Sequence, residues 1–109
     1  MADEGALREP TFFILSALAS GPRHGYGIMG EVAHLSGGRV QLRAGTLYGA
    51  LDRLEGEGLV SEAGVTQDSG PPRTNYRLTP AGRRRLEAEL SRLEDNLRVA
   101  RTQLGIEPA

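Results

Sequence analysis

Three short segments carry side chains suited to holding a polyanion. Arg43, Thr46, Tyr48 and Arg53 share one segment, Arg73 and Arg77 a second, and Tyr26 stands on a third. All seven can donate hydrogen bonds to phosphate oxygens, and arginine does so as a planar fork. Each of the 13 cationic side chains is arginine, so any phosphate contact here can be bidentate. The alternative source of that bias is genomic base composition.

Other chemistries lack their residues. Without cysteine there are no disulfides, thiolate metal sites or cysteine nucleophiles. His24 and His34 have no carboxylate pattern around them, and no glycine-rich phosphate loop, nucleophile elbow or His-Glu metal motif occurs. No catalytic residue, metal site or cofactor is expected, and His24 reads as the cap of a helix opening at Gly25. The start, Met1-Ala2-Asp3-Glu4, is acidic where a signal peptide is basic, and no apolar run approaches membrane-spanning length. A cytoplasmic protein with no membrane partner is expected.

The elements that must position these residues follow from periodicity. Leu47, Leu51 and Leu54 form one buried stripe of a helix over 44–57 that stops near Gly58. Opposite the stripe lie Gly45, Gly49, Asp52 and Gly56, which offer little for reading bases. Glycine inside a helix costs about 0.5 to 1 kcal/mol relative to alanine, a conflict that close backbone approach to a sugar-phosphate chain would offset. The polar groups at the edges of that face, Arg43, Thr46, Tyr48 and Arg53, are the expected contacts; for Tyr48 the alternative is core packing. Leu59-Val60 then opens a strand, and the turn-rich run Gln67-Asp68-Ser69-Gly70-Pro71-Pro72 leads to a second strand through Tyr76 and Leu78. Arg73 and Arg77 are expected on the outward side of that hairpin, against DNA or simply solvated. Arg39-Val40-Gln41-Leu42 is a candidate third strand.

Upstream, residues 11–20 follow Pro10 and end at Gly21-Pro22; their apolar positions cover nearly the whole circumference. Such a helix is either the centre of the core or partly covered by a second subunit, through Phe12 and Phe13. Ile28, Met29, Val32 and Leu35 mark the next amphipathic helix, with Tyr26 near its start on a phosphate or in the core. At the other end, Thr79 and Pro80 open a helix in which Leu86, Leu90, Leu93, Leu97, Ala100 and Leu104 form an unbroken a/d seam. Residues 80–103 would make a rod of about 36 Å, longer than a domain of this size can cover. The expected division is a DNA-binding unit over 1–79 and a dimerisation helix over 80–109.

Formal net charge is −1, but residues 39–85 hold 8 arginines against 5 acids, whereas both flanks are net acidic. The basic part coincides with the helix and hairpin, as a nucleic-acid-binding surface requires. Arg83-Arg84-Arg85 opens the last helix, where cations oppose the helix dipole, and an anionic neighbour would account for it.

Four pieces in order, Gly21-Pro22-Arg23-His24-Gly25-Tyr26, Leu35-Ser36-Gly37-Gly38-Arg39-Val40, Gly45-Thr46-Leu47-Tyr48 with Glu57-Gly58-Leu59-Val60, and Tyr76-Arg77-Leu78-Thr79-Pro80-Ala81-Gly82, resemble the PadR family of bacterial transcriptional regulators. The resemblance implies a mainly α winged helix-turn-helix with a small β-hairpin and a long C-terminal helix. It also implies a homodimeric repressor on operator DNA, with the Thr46–Tyr48 region in the major groove and the wing beside it. Many family members answer to small, often aromatic, ligands, some in an apolar cavity between subunits; Phe12 and Phe13 are the phenylalanines available to line one. Arg43-Ala44 replaces the usual Ser-Pro at the start of the recognition helix, and Gly49 a frequent proline. The rival reading is a winged helix used for protein contact, favoured by the near-neutral charge and the glycine-rich outer face.

Overall fold

The computed structural model describes residues 5–67 and 70–106, so Asp68 and Ser69 of the expected wing turn, and residues 1–4 and 107–109, lie outside the described residues. Seven elements follow in chain order: α1 (Glu9–Ala19), β1 (Arg23–His24), α2 (Gly25–Leu35), α3 (Ala44–Gly56), β2 (Val60–Thr66), β3 (Arg73–Leu78) and α4 (Pro80–Leu104). The strands form one antiparallel sheet in the order β1-β3-β2. The expected fold, a winged helix-turn-helix with a long C-terminal helix, is the one observed.

α1 is the central helix. Ile14, Leu15 and Ala17 are fully buried because α2, β3 and α4 all pack against it. Phe13, expected in the core or at a subunit interface, is 9% exposed within its own chain and belongs to its core, with the Arg39 guanidinium 5.9 Å from its ring centre. Phe12 stays half-buried and meets Phe13 edge to face at 5.2 Å.

α3 buries the expected stripe: Leu47, Leu51 and Leu54 are fully enclosed, and Gly45, Gly49 and Gly56 face outward. The helix ends where Gly58 adopts a φ of +76°, a left-handed conformation that a side chain disfavours. α2 buries Ile28 and Val32, but Leu35, at its last turn, passes beyond the core and is 43% exposed.

The third strand is Arg23–His24, not Arg39-Val40-Gln41-Leu42. The Val40 N–H donates to the Ser36 hydroxyl at 2.9 Å and the Gln41 side chain donates to the Gly38 carbonyl, so that loop satisfies itself locally. The chain after Gly21-Pro22 instead runs along the open edge of β3, pairing Arg23 with Tyr76 and His24 with Asn75.

α4 is locked to the end of α3. Thr79 caps it, accepting from the Gly82 N–H at 2.9 Å while its hydroxyl donates to the Gly58 carbonyl at 2.7 Å. Gly82 lies so close to the Leu59 carbonyl that no β-carbon fits. One turn on, Leu86 is 9% exposed, and Glu89 is buried at 3%. Its carboxylate accepts from the Leu7 N–H at 3.2 Å and from the Arg92 guanidinium, drawing the N-terminal segment across α4. The Arg92 hydrogen bond holds this carboxyl below its usual range, against the opposing effect of burial. Beyond that point the seam is bare: Leu90, Leu93, Leu97 and Leu104 are 45, 40, 53 and 71% exposed.

Candidate nucleic-acid interface

β1 is only two residues long, yet it determines the site. Pairing with β3 brings the start of α2 against the base of the wing, and α3 packs beneath both. The result is a cleft of about 530 Å³ whose walls include His24, Tyr26, Tyr48, Pro72, Arg73 and Tyr76.

Three expected contact residues, Tyr26, Tyr48 and Arg73, meet here. Tyr26 is 68% exposed, and the Arg73 guanidinium stacks on its ring at 5.3 Å from the centroid. Tyr48 is 43% exposed rather than a core residue. Its phenol rests against Gly25, where a β-carbon would lie 2.7 Å from the ring carbon Cζ, so glycine at 25 is what lets Tyr48 reach the start of α2.

Arg43 and Thr46 are exposed at the opening of α3. Arg43 occupies the N-cap position without a side-chain cap bond, leaving first-turn amides and the positive end of the helix dipole open to an anion.

Two expected residues fall elsewhere. Arg53 turns toward α1, donating to the Thr11 hydroxyl at 3.1 Å and approaching Glu57 at 3.8 Å. It lines a separate hollow with Arg8 and Arg85. Arg77 is exposed, but beside Gly21, Pro22 and Arg83, away from the Tyr48 cleft. Alternation along β3 sends it to the opposite side from Tyr76.

Sequence reasoning passed over Gly25 and Tyr76 as site residues, and saw His24 only as a cap. The cap is present: His24 Nδ1 accepts from the Gly27 N–H at 3.2 Å. Tyr76 is a core residue at 9% exposure that also floors the cleft. Burial first, then the negative charge of Glu55, pushes its phenol pKa up, so it stays a protonated donor. Two of the three arginines at the start of α4 find partners in the chain: Arg83 pairs with Glu87 at 3.3 Å and Arg85 donates to the Gly5 carbonyl.

Among the described residues, no His, Asp and Glu side chains gather in threes to hold a metal, and no helix is long and apolar enough to cross a membrane. The folded core and cleft define the winged-helix class of transcription regulators. Residues 14–88 match the model of the transcriptional regulator PadR-like family, and the chain belongs to that family. A PadR family transcription regulator from Clostridium difficile R20291 is similar at 29% identity and a TM-score of 0.70, over 89% of this chain and 99% of the other. Bacillus subtilis PadR, solved in complex with operator DNA, is similar at 25% identity and a TM-score of 0.67, over 76% of this chain and 47% of the other. An uncharacterized 37.1 kDa protein in transposon TN4556 of Streptomyces fradiae is 47% identical over 76 residues, 70% of this chain. The chain spans 20% of the length of that curated relative.

Proposed function

We propose that the protein is a cytoplasmic repressor that binds double-stranded operator DNA as a homodimer. The observation that carries this reading is the meeting of Tyr26, Tyr48 and Arg73 in one open cleft between α2, α3 and the wing. With Arg43 and Thr46 at the opening of α3, they form a face rich in hydrogen-bond donors whose central backbone is bared by Gly45 and Gly49. Residues 1–79 act as the reading unit and 80–109 as the dimerisation helix, the exposed leucines of α4 supporting that division.

A small apolar or aromatic effector is the proposed release signal. Its support is a cleft of about 310 Å³ edged by Phe12, Phe13 and Leu93, with Arg39 and Arg92 at its rim. Fluorescence titration with the duplex upstream of the protein's own gene, repeated across a salt series, tests the DNA reading. Saturable binding that weakens log-linearly with salt supports it, because phosphate contacts release counterions. Flat, weak binding to every duplex overturns it in favour of a protein-contact module.

A further inference from the structure

His24 makes two contacts that constrain its proton. Its Nδ1 accepts the Gly27 N–H at 3.2 Å, and an accepting ring nitrogen carries no hydrogen. With Nδ1 occupied as that acceptor, we assign the proton of the neutral ring to Nε2 rather than to the tautomer in which Nε2 would accept from Arg73. That nitrogen lies 3.4 Å from Arg73 Nη1, which is also a donor. Two donors do not bond each other, and an acceptor placed before both satisfies them together.

Nothing described in the chain supplies that acceptor: no carboxylate among the described residues pairs with Arg73. The arrangement is fixed rather than incidental. His24 is held at the ring by its cap bond and at the backbone by pairing with Asn75, two residues from Arg73 on β3. Tyr26 supports the guanidinium from the side, and the whole lines the cleft shared with Tyr48.

We infer that His24 Nε2–H and the Arg73 guanidinium grip one backbone phosphate of bound DNA, making His24 a phosphate contact as well as a helix cap. Two donors without an acceptor between them match a phosphate, which offers only acceptors, better than a base edge, which mixes both. The inference rests on the reading that this cleft binds DNA.

The test uses the full chain and a duplex selected by the wild-type protein from a random library. His24→Asn keeps a good N-cap acceptor but removes the Nε2 donor, whereas His24→Ala removes both. Both variants should bind the selected duplex about tenfold more weakly, as expected for losing a hydrogen bond to a charged group. Combining His24→Asn with Arg73→Ala should add less than the two separate losses, because both act on one phosphate. Wild-type affinity in His24→Asn with loss in His24→Ala would show that His24 acts only as a cap, and would overturn the inference.

Should His24→Asn unfold, nitrogen NMR of the wild-type ring decides. The inference requires the Nε2–H tautomer free and bound, with that proton exchanging more slowly on DNA. An Nδ1–H tautomer in the complex, or unchanged exchange, would contradict it. If wild type selects no duplex, the DNA-binding reading itself fails.

Discussion

Two glycines permit close approaches, and replacing each with alanine should give opposite outcomes. At Gly25 the added β-carbon would collide with the Tyr48 hydroxyl and lie 2.7 Å from Cζ, against the 3.4 Å at which contact becomes ordinary. The obstacle is the tip of a side chain that is 43% exposed, so it swings aside with little lost burial. Removing a glycine from this helix start also stabilises by about 0.4 to 1 kcal/mol through the unfolded chain. Gly25→Ala should therefore stay within about 1 kcal/mol of wild type, while DNA affinity falls about tenfold, the worth of one charge-assisted hydrogen bond. At Gly82 the β-carbon would meet the Leu59 carbonyl, lying 3.1 Å from its carbon and 2.7 Å from Leu78 Cδ1. Backbone cannot rotate away, so α4 must shift, at about 1 to 3 kcal/mol for overpacking. That corresponds to about 4 to 8 °C of melting temperature per kcal/mol in a domain of this size. Chemical denaturation and fluorescence anisotropy on the same preparations separate the two effects. Equal destabilisation by both substitutions, or full DNA affinity in Gly25→Ala, would refute the role given to the Tyr48–Gly25 contact.

Other perturbations test the remaining parts. Glutamate at both Leu93 and Leu97, which are 40 and 53% exposed, should dissociate the proposed dimer without unfolding the winged helix, as sedimentation and circular dichroism would show. Arg73→Ala should reduce the salt slope of DNA binding by about 1 per half-site. Arg53→Ala should leave that slope unchanged and instead lower stability by about 1 kcal/mol through the lost Thr11 hydrogen bond. Glu89→Gln should destabilise by about 1 to 2 kcal/mol at neutral pH. Because the folded carboxyl is held below 4.5, its contribution is present above that pH and is lost as pH falls through the lowered value. Denaturation midpoints of wild type and Glu89→Gln should thus converge on acidification.

The helices were legible in the sequence because their signals are local. The Leu47, Leu51, Leu54 stripe, the Thr79 cap and the leucine seam each need only a few neighbouring residues to read. What escaped depends on residues far apart in the chain. β1 is too short to show a period, and its pairing with β3 depends on Arg23 meeting Tyr76 across the fold. Arg53 and Arg77 have the right chemistry, but their directions are set by α1 and by the strand alternation of β3. Gly25 looked like a helix start; its purpose appears only when Tyr48 lies against it. Whether α1 needs a second subunit to cover it stayed open in the sequence because α2, β3 and α4, which pack against it, are spread along the chain.

Hydroxyl-radical footprinting of the wild-type protein on a selected duplex addresses the central claim most directly. A dimer joined through α4 should protect two patches on one face of the DNA, about 34 Å apart or a multiple of it, at two chains per duplex. A single protected patch, or uniform weak protection along the duplex, would contradict a two-headed reader built on the Tyr26–Tyr48–Arg73 cleft.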